Sequence, residues 1–160
     1  PGVGAFPMAI KNLRARGLAD AILERVEDGV TPLLGICLGM QLLASRSSEF
    51  SGAEGLDLIP GDVKALSPAT PDERVPHMGW NEVDRRNDCP LLDGVPPEKD
   101  FYFVHSYHLA CEVDSDIAAT TPYGGGFVSM VQRENILGTQ FHPEKSQRAG
   151  FALLRNFIAL

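Results

Sequence analysis

Val30-Thr31-Pro32-Leu33-Leu34-Gly35-Ile36-Cys37-Leu38-Gly39 is the stretch on which the fold turns. Its apolar run is short, follows a turn at Asp28-Gly29, contains Pro32 and stops at a cysteine, the marks of a buried strand ending at Ile36. Leu38, Leu42 and Leu43 then share one side of a helix expected over Leu38 to Phe50. Strand, sharp turn and helix in succession place Cys37 at the bend. Glycines two positions before and after it leave room for a tight, strained turn that lifts a nucleophile out of a sheet. The amino end of the helix adds a dipole that favours a thiolate and free N–H groups for an oxyanion. A lone cysteine in an apolar run is ordinarily a buried structural thiol; Gly35 and Gly39 weigh against that reading here.

Upstream, apolar residues at three- and four-residue spacings from Met8 to Glu27 predict either one helix broken at Gly17 or two short ones. Downstream, Gly52 to about Cys111 is richer in Gly, Pro and Asp. It predicts short antiparallel strands near Gly61 to Leu66, Trp80 to Val83 and Asp100 to Val104, with an exposed loop over Ser67 to Arg74. Phe127 to Gln132 and Ile136 to Phe141 read as strands joined by a turn at Arg133-Glu134-Asn135, and Arg148 to Leu160 as a helix. This alternation predicts an α/β fold with a central, mostly parallel sheet and a patch of antiparallel strands.

The 160 residues suit one domain, residues 1–160, with enough length to bury a core. A net charge of −7 with 14 scattered basic residues argues against a nucleic-acid surface. No apolar run is long enough to span a bilayer and no signal-peptide pattern opens the chain, so a cytoplasmic protein is expected. Cys37, Cys89 and Cys111 are too few and too irregularly spaced for a disulfide framework or a zinc site. Nothing calls for a metal or cofactor. The opening Pro1-Gly2-Val3-Gly4 is a turn signal more natural after a strand than at a natural start, so a preceding segment is expected.

A thiol nucleophile needs a base, and four histidines are available: His77, His105, His108 and His142. His142 stands out, because Phe141-His142-Pro143-Glu144 follows a predicted strand and carries a carboxylate two residues on, which extended geometry puts on the same side. Glu144 is then placed to hold the imidazole in one tautomer, completing a nucleophile, base and orienting acid. An isolated His-Pro-Glu is more often a surface loop; paired with the elbow at Cys37 the balance reverses.

Gly35-Ile36-Cys37-Leu38-Gly39-Met40-Gln41 and Gly138-Thr139-Gln140-Phe141-His142-Pro143-Glu144-Lys145-Ser146 resemble the two signature segments of class I glutamine amidotransferases. Met40, Val75-Pro76-His77-Met78-Gly79-Trp80-Asn81 and Phe101-Tyr102-Phe103-Val104-His105-Ser106-Tyr107 are similar to the imidazole glycerol phosphate synthase branch of that family. The resemblance spans the whole chain and begins partway into the family's domain, after a strand, a helix and a second strand. It implies a three-layer, flavodoxin-like fold and a glutaminase with Cys37, His142 and Glu144 as its triad. Val3, Gly4 and Leu38 match the oxyanion positions, with Val3 the leading donor after a backbone flip; a simple turn at the glycines fits equally. Gln41, Ser106 and Tyr107 match glutamine-binding positions. Trp80, Asn81, Tyr102 and Lys145 match the face toward a cyclase subunit, a (β/α)₈ barrel that receives the ammonia in a heterodimer and uses it in histidine biosynthesis. His77, His105 and His108 are expected to be structural or to lie at an interface, and Cys89 and Cys111 to be inert. The alternatives are the glutaminase of another biosynthetic amidotransferase and a truncated subunit that docks without turning over glutamine.

Overall fold

The computed structural model describes residues Pro1–Leu160. The first helical stretch is two helices, α1 (Phe6–Ala15) and α2 (Leu18–Val26), separated by Gly17 in the left-handed conformation. Pro7 stands in the first turn of α1, where a missing N–H is harmless. The N–H of Phe6 finds its acceptor far off in sequence, on Glu49 Oε2 at 2.7 Å.

Strand β1 (Leu33–Ile36) leads into Cys37 and α3 (Leu38–Leu42). The helix expected as far as Phe50 therefore ends eight residues early. Residues Ala44–Ser47 form β2 instead, paired with β3 (Ala53–Glu54) and β4 (Ile59–Ala65). The carbonyls of Leu42, Leu43 and Ala44 accept N–H groups from residues 56–59, so strand pairing overrides the local helical pattern. The chain continues through β5 (His77–Asn81), β6 (Asp84–Arg85), β7 (Phe101–His105), β8 (Tyr107–Cys111), β9 (Ile117–Thr121), β10 (Phe127–Arg133) and β11 (Ile136–Thr139), and ends in α4 (Gln147–Ile158). Ser67 to Arg74 carries no helix or strand and is largely exposed, as expected.

The strands form a five-stranded sheet in the order β1-β11-β10-β9-β6, a four-stranded sheet β3-β2-β4-β8 and a β5-β7 ribbon. Parallel pairing, expected through the centre, is confined to β1–β11 and β2–β4, with an isolated parallel bridge from Gly2 to Cys37. The other pairs are antiparallel; for β9–β10 and β10–β11 the connections are too short for a crossover.

Two apolar clusters cover the faces of the five-stranded sheet. Phe6, Ile10 and Val26 of the first two helices pack with Met40, Val131 and Ile136 on one side. Phe101, Phe103, Phe127 and Phe141 pack with Met130, Leu137 and Leu153 of α4 on the other. Adjacent residues of β10 and β11 divide between the clusters, as the two-residue period of a strand requires. Each large side chain fully buried there contributes about 1.5–3 kcal/mol.

Candidate active site

The register of the parallel pair brings the two signature segments together. Gly35 lies opposite Gly138 and Ile36 opposite Thr139, and the Cys37 N–H donates to the Thr139 carbonyl at 2.7 Å. Both strands thus end at one level, Cys37 following β1 and His142 following β11, at the carboxyl edge where open α/β sheets place their ligands.

Cys37 has φ 53° and ψ −110°, a strained backbone for a residue with a side chain. The strain is held by close approach behind it. A Cβ on Gly35 would come within 2.7 Å of the Gly39 carbonyl and the Met40 nitrogen, whereas one on Gly39 would meet only the Pro1 nitrogen at 3.9 Å. The two glycines expected to act alike are therefore unequal: Gly35 must lack a side chain, and Gly39 supplies the backbone wall against which it fits.

The thiol is buried, and Sγ lies 3.9 Å from the Val104 carbonyl and 3.6 Å from Gln140 Nε2. Burial pushes the thiol pKa up. The backbone N–H of Leu38 and the Gln140 amide pull it down, while the Glu144 charge pushes it up. The Leu38 N–H also donates to the Gly2 carbonyl at 3.3 Å.

His142 hangs from one main-chain bond, a serine side chain and aromatic packing. Phe141 packs on Phe101 with centroids 4.2 Å apart and rings tilted by 31°, the His142 N–H donates to the Tyr102 carbonyl at 2.9 Å, and Ser146 Oγ donates to the His142 carbonyl at 2.6 Å. Pro143–Lys145 is a 3₁₀ turn, so it is this turn, rather than the extended backbone expected, that brings Glu144 Oε1 to 2.7 Å from His142 Nδ1. Gly150 of α4 lets the helix press onto the turn, since a Cβ there would fall 1.8 Å from the Pro143 carbonyl oxygen. The other ring nitrogen, Nε2, is buried and has no hydrogen-bond partner, and no hydrogen bond joins it to Cys37. A buried ring nitrogen left without a partner, on a histidine whose far side is anchored, is a polar atom that a ligand can still engage.

A cavity of about 270 Å³ opens beside the thiol. Val3, Gly4, Cys37, Leu38, Gln41, Ser106 and Tyr107 line it, all of them expected there; His142 and Glu144 lie outside the lining. Four further residues contribute that sequence reasoning missed: Glu49, Pro76, Val104 and His105. Glu49 is the one carboxylate of the lining, buried, with Oε2 on the Phe6 N–H. It falls in the stretch read as helix, and no local pattern marked it. His105 shares the Val104-His105-Ser106-Tyr107 segment with two residues that were singled out, and that adjacency was the available signal.

Of the four remaining candidates, Trp80, Tyr102 and Lys145 gather on another face, and Asn81, expected with them, does not. Trp80 of β5 sits opposite Tyr102 of β7 with centroids 5.8 Å apart, and Lys145 Nζ stands 5.9 Å from the Tyr102 ring. Met78 lies two residues before Trp80 and is likewise exposed, so strand periodicity from Trp80 would have found it. Asn81 is turned inward, its Nδ2 3.4 Å from His77 Nε2. His77 and His105 are both buried, with His77 Nδ1 3.1 Å from His105 Nε2. Burial pushes their pKa values down to about 4 and about 3. Cys89 and Cys111 are free thiols outside this cavity; burial pushes both up, Cys111 to about 12. A larger cleft of about 810 Å³ between α2 and the β10–β11 turn holds neither thiol nor imidazole.

The sequence matches a family described as "Glutamine amidotransferase class-I" over residues 1–160. It is 51% identical over 157 residues to imidazole glycerol phosphate synthase subunit HisH of Moorella thermoacetica, covering 98% of this chain and 73% of that one. It is 46% identical over 162 residues to the subunit of the same name from Agrobacterium fabrum, covering 99% and 75%. A solved structure described as a glutamine amidotransferase superposes with a TM-score of 0.69 at 20% identity, over 98% of this chain and 74% of the other, which speaks to the fold alone. The sequence and the architecture agree: this chain belongs to the class I glutamine amidotransferase family.

Proposed function

We propose that residues 1–160 act as the glutaminase subunit of an imidazole glycerol phosphate synthase, hydrolysing glutamine at Cys37 and passing ammonia to a cyclase partner for histidine biosynthesis. The observation that carries the reading is a thiol and an unpartnered, anchored imidazole at the ends of adjacent parallel strands, in a chain half-identical to proteins bearing that name.

In this reading the thiol proton passes to His142 Nε2 and the sulfur attacks the side-chain amide carbon of glutamine. The C–N bond breaks as His142 returns the proton to the departing nitrogen, releasing ammonia and leaving a thioester. His142 next takes a proton from water, the hydroxide adds to the thioester carbon, and breaking the C–S bond frees glutamate and restores the thiol. Glu144 holds Nδ1 and stabilises the imidazolium. Glu49 faces the substrate's ammonium group, with Gln41, Ser106 and Tyr107 completing the grip on its amino and carboxylate ends.

The oxyanion forms beside the Leu38 N–H, whose present partner is the Gly2 carbonyl. Pro1 to Gly4 must swing that carbonyl away and present an N–H, that of Val3, before the hole is complete. Binding of the cyclase, which docks over Trp80, Tyr102 and Lys145, and of its nucleotide ligand drives the change, so glutamine is spent only when ammonia can be used. A cytoplasmic location suits a catalytic thiol that must stay reduced.

Glutamate release tests the reading, measured with the chain alone and with the cyclase subunit and its nucleotide ligand. Release stimulated by the partner, and lowered by about 10³-fold or more in Cys37→Ala, is expected. Equal turnover with and without the cyclase ligand would reject the switch, and no release from a folded chain in either state would reject the activity.

A further inference from the structure

The hydrogen-bond directions around the thiol are fixed by one backbone carbonyl. The oxygen of Tyr107 only accepts, so Gln41 Nε2, 2.8 Å away, must donate to it. The same nitrogen lies 3.0 Å from Gln140 Oε1 and gives its second hydrogen there. Gln140 is thereby oriented, with oxygen toward Gln41 and Nε2 toward Cys37 Sγ at 3.6 Å. Turning over either amide would set NH₂ against NH₂ or oxygen against the carbonyl. Gln140 is fully buried and its own backbone N–H is tied to the Ser129 carbonyl at 2.9 Å, so its side chain has nowhere else to go.

We infer that Gln140 is a catalytic residue of the glutaminase proposed above: its amide N–H, aimed through Gln41 by the Tyr107 carbonyl, stabilises the Cys37 sulfur whenever it becomes a thiolate. Gln41 thus works first as the clamp on Gln140; both its donors are spent, and only its Oε1 is left to accept from substrate. The role fits the electrostatics of a nucleophile that burial and Glu144 both disfavour as an anion. Leu38 offers the other donor, but its N–H is shared with Gly2 and is required by the oxyanion once substrate arrives. Gln140 stays on the sulfur through the cycle, and when the thioester forms it loses a charged acceptor, which favours return to the thiolate.

The test is the pH dependence of Cys37 alkylation by iodoacetamide, followed by mass spectrometry of the Cys37 peptide so that Cys89 and Cys111 do not contribute. Gln140→Met keeps the length of the side chain without a donor. Its midpoint should rise by about one pH unit, making alkylation about tenfold slower below the midpoint. Gln140→Asn, one methylene too short to serve Gln41 and sulfur together, should fall between Gln140→Met and the unchanged chain. In the partner-stimulated assay both variants should lose kcat with KM little changed. A folded Gln140→Met chain with the original midpoint would overturn the inference. Should that variant fail to fold, Gln140→Asn decides alone: a raised midpoint supports the donor and an unchanged one overturns it. The midpoint is read without glutamine, so a raised midpoint in a chain that never releases glutamate sinks the glutaminase reading and leaves the donor standing. Normal glutaminase with an unchanged midpoint sinks only the donor.

Discussion

The two sides of the Cys37 thiol are built in different ways. The elbow is backbone work: Gly35 pressed against Gly39 and Met40, a cysteine at positive φ, and main-chain bonds to Thr139 and Gly2. The opposite wall is mostly side-chain work, with His142 held by Ser146, the Phe141–Phe101 contact and Glu144, and with the Gln140–Gln41 and His77–His105 pairs meeting at the Tyr107 carbonyl. Backbone contacts fix where the sulfur is, and side-chain contacts fix which protonation states surround it. The first should fail by steric collision and the second by loss of orientation or by titration.

The largest effects are expected where a helix or strand meets backbone with no room to yield. Gly150→Ala puts a methyl group onto the Pro143 carbonyl and should cost about 3 kcal/mol or more, because α4 must lift off the turn that carries Glu144. Gly35→Ala should cost about 2–3 kcal/mol, since its Cβ meets backbone atoms at 2.7 Å with slightly more latitude. Urea unfolding measures both. If Gly35→Ala unfolds as the original chain does, the elbow is not held by close packing and the contrast between the two sides falls.

The side-chain wall should reveal itself by titration. Burial pushes the pKa values of His105 and His77 down to about 3 and about 4, from an ordinary value of 6.5. Below pH 6.5 the unfolded chain takes up protons that the native chain refuses. The stability from keeping both rings neutral is therefore complete above about pH 6.5 and drains away as pH falls toward the folded values. The slope approaches about 1.4 kcal/mol per pH unit for each proton taken up. Unfolding midpoints between pH 7.5 and 4.5 should fall steeply in the original chain and less steeply in His105→Gln, whereas parallel curves would show that the pair is not kept neutral by burial.

The same division explains what could be read from the sequence. The elbow was legible because close backbone approach leaves a residue-type mark, glycines two positions either side of Cys37, and the pairing of His142 with Glu144 because they are two residues apart, although a 3₁₀ turn makes it rather than the extended backbone expected. The early end of α3 was not legible, since the bonds that convert Ala44–Ser47 to strand come from residues 56–59. Glu49 was lost with that segment. Gln140 stood inside a quoted motif, yet its role depends on Gln41, 99 positions away, and on the Tyr107 carbonyl. A buried polar chain of this kind is set by tertiary geometry and leaves no periodic signal. The antiparallel share of the main sheet was underestimated for a related reason, because Ile117–Thr121 was read as neither strand nor hairpin partner.

The smallest expected effect sharpens the contrast most finely. Sequence symmetry makes Gly35 and Gly39 equivalent guardians of the elbow, but a Cβ on Gly39 would meet nothing closer than 3.9 Å. Gly39 is the second residue of α3, where alanine is a better helix former than glycine. Gly39→Ala should therefore change stability by less than about 1 kcal/mol, toward greater stability, and leave the alkylation midpoint of Cys37 where it was. Thermal unfolding and the alkylation profile read the two parts separately. A loss as large as that of Gly35→Ala would mean that the elbow depends on freedom in the Gly39 backbone as well as on space beside Gly35. The tight turn would then be a property of both glycines, as the sequence alone had implied.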